Sequence, residues 1–271
     1  MSPVYDRIGE GFARHRRADR RIVDRIVRLL DLPPGAVIAD IGAGTGNYAW
    51  ELGELGYRIE AVEPSEVMRS QARAHDLVRW HDGVAEELPL PDTSTDGVIC
   101  ILAAHHFRSR VSAGCEMARV CPSGPIVWLT FDAREADDPW FVDYFPTLWG
   151  LALGRCPPIG EVSAELAEAI GRRVEVFPFP VPWDLEDCFM SSGWRRPELY
   201  LNAEIRSGIS AFQLSEPEVV EEALARLASD LESGAWGDAH GHVLDQDSVD
   251  WGYRFLVSRP GAREPRSWRS P

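Results

Sequence analysis

The chain has 271 residues, 45% apolar, 26% charged and 10% aromatic, with a formal net charge of -15. That length suits one α/β body with an elaboration, and the composition excludes a disordered, collagenous or disulfide-scaffold chain. All 28 basic residues are arginine, so lysine Schiff-base chemistry is excluded, and the acidic surface would repel a nucleic-acid backbone.

Cys100, Cys115, Cys121, Cys156 and Cys188 form no CxxC pair and are odd in number, which fits neither a zinc site nor a disulfide framework. No metal is expected, and a reducing cytoplasm is the expected location. No apolar run reaches membrane length and the start, MSPVYD, lacks a charged and apolar leader, so neither a membrane span nor a signal peptide is expected. The arginine-rich stretch 7–28 and the acidic stretch 216–250 read as solvated helices at the two ends.

In chain order, residues 18–30 set Ile22, Ile26 and Leu29 on one helical face beside Val23 and Leu30, and Pro33-Pro34-Gly35 stops the helix. A first strand follows at Ala36 to Asp40. Further apolar runs fall near Arg58 to Glu63, Leu77 to Trp80, Gly97 to Ala103 and Pro125 to Phe131, with helix-length segments between them. Strands alternating with helices predict a mostly parallel sheet covered on both faces. Ser65 is the expected cap of a helix through Val67, Met68 and Ala72.

After Phe131, Trp140, Phe141, Tyr144, Phe145 and Trp149 form an aromatic cluster with helical spacing, either a wall over a substrate or a helix packed on the sheet. Val174 to Val181 reads as a strand near an edge, because Pro178 and Pro180 interrupt it. Ser215 and Glu218 suggest a capping box for a helix presenting Val220, Leu224, Leu227 and Leu231 to the core. Tyr253 to Ser258 reads as the last strand. His240 and His242 read as loop residues, since only Asp238 beside them could join a metal site.

The strongest signal is DIGAGTG at 40–46, between a strand and a helix. Gly42, Gly44 and Gly46 let the backbone turn tightly and approach a ligand, and the helix from Asn47 offers free N–H groups. Asp40 before the loop would repel a pyrophosphate and suits an ammonium group. Glu63, ending the second strand, is placed to accept hydrogen bonds from two ribose hydroxyls. His105 and His106 follow the fourth strand, where a neutral imidazole could take a proton from an attacking hydroxyl or amine. Asp132, after the fifth strand, is a weaker catalytic candidate.

With DIGAGTG, VEPSEVM and VAEELPLPDTSTDGVICILAAHHF, the chain resembles the class I S-adenosylmethionine-dependent methyltransferases, in particular the small bacterial branch with an AExLPLPD segment. The resemblance covers residues 5–132. It implies a doubly wound, Rossmann-like sheet of seven mostly parallel strands, S-adenosylmethionine as cofactor, and a helical, aromatic-rich cap after the fifth strand. By the same resemblance Asp40, Gly42, Ala43, Gly44 and Gly46 line the methionine and ribose portion, and Glu63 holds the ribose. Pro64 passes near the adenine, Ala85 and Glu86 border its amino group, and Leu102 and Ala103 form the floor near the sulfonium. Tyr5, with one of Arg14, Arg16 or Arg17, would meet the cofactor carboxylate. Val84 departs from the family, which commonly has an acid there.

The implied organisation is a lid and cofactor-binding half at 1–132, a substrate cap at 133–215, a helix and last strand at 216–260, and a tail at 261–271. The expected activity is methyl transfer to an oxygen or nitrogen of a small molecule, plausibly in secondary metabolism, with an organic, cationic or amphipathic acceptor suggested by an aromatic, acid-flanked cap. A homodimer or an accessory protein stays open. The alternative is a natural-product enzyme on this fold that transfers no methyl, such as an aziridine-forming cyclase; intact DIGAGTG and Glu63 favour methyl transfer. A third alternative is a noncatalytic subunit that binds a partner through the aromatic segment.

Overall fold

The computed structural model describes Asp6, Gly9 and residues 16–261. Among these, the helix Arg20–Leu30 follows the expected pattern: Ile22, Val23, Ile26, Leu29 and Leu30 are all buried. Asp19 caps its start by accepting from the Arg21 N–H at 2.9 Å. The helix ends at Asp31, whose left-handed backbone (φ 51°) closes the last turn two residues before the prolines.

Five strands, β1 (Val37–Ile41), β2 (Arg58–Val62), β3 (Val78–His81), β4 (Gly97–Ile101) and β5 (Ile126–Ala136), run parallel. β6 (Val174–Pro178) and the long final strand, β9 (Trp251–Ser258), complete a seven-stranded sheet of order β3-β2-β1-β4-β5-β9-β6. β9 is antiparallel to both of its neighbours and is the single reversed strand of that sheet. The predicted seven-stranded, mostly parallel architecture is therefore the observed one. Strand order reverses between β1 and β4, and the carboxyl ends of strands at such a switch point frame a ligand crevice.

Apolar side chains pack on both faces of the sheet. On one face Ile22 and Ile26 meet Ile38, Ile59 and Val127; on the other Ala113, Met117, Val162 and Leu166, from the helices Arg110–Val120 and Ile159–Ile170, meet Val98 and Trp128. Burying each large aliphatic side chain contributes about 1.5–3 kcal/mol, and these side chains pack around β1, β4 and β5, the strands that frame the crevice.

Several expected elements differ. β5 continues to Ala136 through a register shift between Phe131 and Ala136. Gly252 makes that irregularity feasible: its φ is 87°, and a Cβ there would lie 2.0 Å from the Asp132 carbonyl oxygen. The last strand begins earlier than expected, at Trp251. The predicted strand Val174 to Val181 divides into edge strand β6 and β7 (Val181–Pro182), which pairs with β8 (Ser248–Val249) in a separate ribbon; Pro178 and Pro180 cannot donate to a continuous ladder. The expected capping box does not form. Pro217 starts the helix Pro217–Ser233, while the Ser215 hydroxyl donates to the Ala211 carbonyl at 2.9 Å. On that helix Val220 and Leu227 are buried, and Leu224 and Leu231 are partly so.

The aromatic cluster spans two helices, Phe141–Tyr144 and Pro146–Arg155, broken at Phe145 by Pro146. Its five rings are at most 7% exposed and stack on one another and on Tyr200, Phe212 and Trp236. The packing alternative therefore holds, and the cluster is the core of the cap instead of a substrate wall. His240 closes the helix Ala235–His240 and His242 lies in the 3-10 turn that follows, not in a loop; they approach Asp143 and Asp138 at 3.6 and 3.5 Å. No helix among the described residues is long and apolar enough to cross a membrane.

Candidate active site

β1 carries Asp40 to the switch point, where the side chain is 2% exposed. Among the described residues its carboxylate takes no hydrogen bond, and burial together with the nearby charge of Glu63 raises its pKa to about 7. A buried acid without a partner is costly unless a cation completes it. The glycine loop begins one residue beyond β1. Gly42 has φ 74°, and a Cβ there would meet the Ala103 methyl at 2.5 Å, so the turn after β4 leaves the loop no room for a side chain at this position.

Glu63, just after β2, is buried and ties the loop to the second motif. One carboxylate oxygen accepts from the Gly44 N–H at 3.0 Å and the other from the Ser65 N–H at 2.9 Å. Burial raises its pKa, and each oxygen keeps a lone pair for a further donor. Ser65 caps the helix Glu66–Ser70 as expected, accepting from the Met68 N–H, and its hydroxyl donates to Asp6 at 2.7 Å. Gln71 donates to the Gly9 carbonyl at 2.7 Å, so the N-terminal segment reaches this side of the crevice. Tyr5 and Arg14 lie outside the described residues.

Beyond β4, Leu102 has a positive φ of 54°, a strained conformation for a branched side chain. Its N–H donates to the Leu129 carbonyl at 2.8 Å. Strain held by a neighbouring strand marks a position where backbone shape matters more than comfort. His105 and His106 follow on a 3-10 turn, with ring centroids 3.9 Å apart. Burial pushes both pKa values down, and the positive charge of Arg155 adds to this; His106 falls to about 4. Both imidazoles are thus neutral at neutral pH.

Leu102 and His105 open onto a cavity of about 100 Å³ whose remaining wall comes from Arg16, Phe131, Tyr253 and the cap. A larger depression of about 550 Å³ lies between Asp31, Asp96, Gly124 and Arg259. It sits at the amino ends of β1, β4 and β5, away from the motif residues, so the smaller cavity is the one chemistry can use.

Three expected site residues are engaged elsewhere. Asp132 is 2% exposed and accepts from the Ile159 N–H at 2.9 Å and from the Arg134 backbone and guanidinium at 3.0 and 3.1 Å. It secures the start of the helix Ile159–Ile170, and it is absent from the lining of the cavity described above. The Glu86 carboxylate accepts from the Arg108 and Ser109 N–H groups, where the helix Arg110–Val120 begins; Ala85 beside it is buried and Pro64 is half-buried. The Arg16 guanidinium pairs with Asp187 and donates to the Gly208 carbonyl at 3.3 Å, while Arg17 is exposed.

Sequence reasoning missed Asp187 and Arg155. Asp187 is 1% exposed and also accepts from the Tyr48 hydroxyl at 2.8 Å. It thereby joins the N-terminal segment, the helix after the glycine loop and the cap. Neither residue sits in a motif, and only the folded cap brings them to the crevice.

A methyltransferase domain model matches residues 39–129. A crystal structure of an Anabaena variabilis ATCC 29413 protein, assigned as a methyltransferase of an antibiotic biosynthesis pathway, is 50% identical over 91% of this chain and 99% of its own, with a TM-score of 0.89. The demethylmenaquinone methyltransferase of Deinococcus radiodurans is 34% identical over 58% of this chain and 67% of its own. An uncharacterized methyltransferase of Geobacillus is 34% identical over 38% of this chain and 49% of its own, so the chain spans about half the length of that relative. The chain belongs to the class I S-adenosylmethionine-dependent methyltransferase family. Its cofactor is S-adenosylmethionine, and the buried unpaired acid, glycine loop and paired backbone donors around Glu63 are chemically suited to it.

Proposed function

We propose that the protein transfers a methyl group from S-adenosylmethionine to an oxygen or nitrogen of a small secondary metabolite, with residues 1–132 as the lid and cofactor half and 133–215 as the substrate cap. The observation that carries this reading is Asp40, a buried carboxylate whose pKa rises to about 7 in the absence of a cationic partner.

Asp40 and the loop of Gly42, Ala43, Gly44 and Gly46 hold the methionine portion, Asp40 pairing with its ammonium. Glu63 accepts from the ribose hydroxyls with the lone pairs its backbone bonds leave over. Pro64 and Ala85 border the base, while Leu102 and Ala103 present a shaped, apolar floor. The cofactor supplies an electrophilic methyl, so the protein's task is alignment and exclusion of water. His105, neutral and facing the cavity, takes the proton that the acceptor loses; His106 sets its orientation through ring contact. Similarity over nearly the whole chain to a protein assigned to antibiotic biosynthesis supports a secondary-metabolite acceptor, and the intact glycine loop and Glu63 favour methyl transfer over cyclisation.

Calorimetric titration of S-adenosylmethionine tests the reading. Micromolar binding is expected, weakened about 10–100-fold in Glu63→Ala by the loss of hydrogen bonds to a charged group. A folded, ligand-free protein that binds neither the cofactor nor its demethylated product would overturn it.

A further inference from the structure

We propose that the acceptor carries a carboxylate held by Arg155, joined to a short apolar body; this specifies the acceptor of the methyl transfer proposed above and rests on that reading. Among the described residues the cavity beside Leu102 and His105 is lined by arginine, histidine, tyrosine, cysteine and apolar groups, and by no Asp or Glu. In a chain of net charge -15, a ligand cavity without an acid is a departure from the rest of the surface.

Its two cations differ in state. Arg16 is matched by Asp187, whose carboxylate it grips from two sides. Arg155 ends the helix Pro146–Arg155, and no carboxylate among the described residues forms an ion pair with it. Its charge nevertheless bears on the cavity: after burial it is among the causes that lower the pKa values of His105 and His106, while burial and the charge of Asp132 raise the Cys156 thiol to about 11 against it. Arg155, His105 and Cys156 all line the cavity, so the guanidinium borders the space an acceptor would occupy.

The rest of the wall is apolar. Leu151, Ala152, Phe189, Ile209 and Leu214 leave room for a chain or small ring and offer little to a second charge. A guanidinium recognises a carboxylate through two parallel N–H···O bonds. A cationic acceptor, suggested by the acidic composition of the cap segment, would instead meet the like charge of Arg155, with Asp187 and Asp132 already engaged by Arg16 and Arg134. Three acids of that segment are each matched by an arginine: Asp187 by Arg16, Asp184 by Arg21 and Glu165 by Arg110.

Hexanoate, hexanamide and hexylammonium are isosteric probes, titrated by ligand-detected NMR against the full-length protein with and without S-adenosylhomocysteine. Hexanoate is expected to bind about 10–100-fold more tightly than hexanamide, and hexylammonium to bind least. Arg155→Gln, at an exposed position, should abolish that preference, and Arg155→Lys should keep part of it, while the thermal midpoint and the S-adenosylhomocysteine affinity stay at wild-type values. Equal binding of hexanoate and hexanamide, no binding of either, or a preference that survives Arg155→Gln would overturn the assignment. Failure of S-adenosylhomocysteine to bind the same sample would instead count against methyl transfer, whatever the probes show.

Discussion

Asp40 and Glu63 place two acids in one buried crevice, and their mutual repulsion is part of why Asp40 takes up its proton near neutrality. The sign of the resulting pH effect follows directly. A folded-state pKa raised to about 7 means that the empty site is protonated below pH 7, and pairing with an ammonium then requires the proton to leave. Cofactor affinity should therefore improve up to tenfold per pH unit between about pH 5.5 and 7, then level off. Titration calorimetry across that range checks this, and a flat profile in the wild type, matching Asp40→Asn, would contradict it. The histidines behave differently. With His106 depressed to about 4 and His105 also lowered, neither should add a limb near pH 6.5 to the rate profile.

The strands and turns that carry the glycine loop, Glu63 and the histidines were legible because each joins a strand period to a marked turn: Asp40 before three glycines, Glu63 ending an apolar run, two histidines after another. Asp132 shows what such a pattern leaves open: an acid after an apolar strand run looks like a site residue, yet here it lies just beyond Phe131, where the register shifts, and accepts from the Ile159 N–H. That shift is accommodated by Gly252, which lies one residue before the strand expected from the sequence. Gly252→Ala combines a left-handed φ with a clash against the Asp132 carbonyl, and should cost about 3 kcal/mol or more. Scanning calorimetry should read this as a fall of roughly 6 to 12 °C in Tm. Gly150→Ala, inside a helix and with nothing within 4 Å of the new methyl, is the contrasting control and should be stabilising by up to about 1 kcal/mol. The cap was the least legible element. Its aromatic periodicity identified helices correctly but could not tell a core from a ligand wall, since both call for large rings.

The net charge of -15 surrounds the crevice with a negative field that favours a cationic cofactor and opposes an anionic acceptor. Raising the ionic strength should slow association of S-adenosylmethionine several-fold as screening shortens the reach of that field to about 8 Å. Stopped-flow measurements at low and high salt would show this, and a salt-independent rate would place the steering in local contacts alone. At the same scale the two walls of the crevice come from different kinds of sequence. One is a continuous run from Asp40 to His106; the other is gathered from Arg16, Phe131, Arg155, Phe189, Ile209 and Tyr253. Substitutions can therefore accumulate along the second wall without disturbing the first. Over evolutionary time such a molecule can exchange one acceptor for another while its cofactor half stands still, and directed libraries confined to the cap should change substrate choice more readily than they lose the fold.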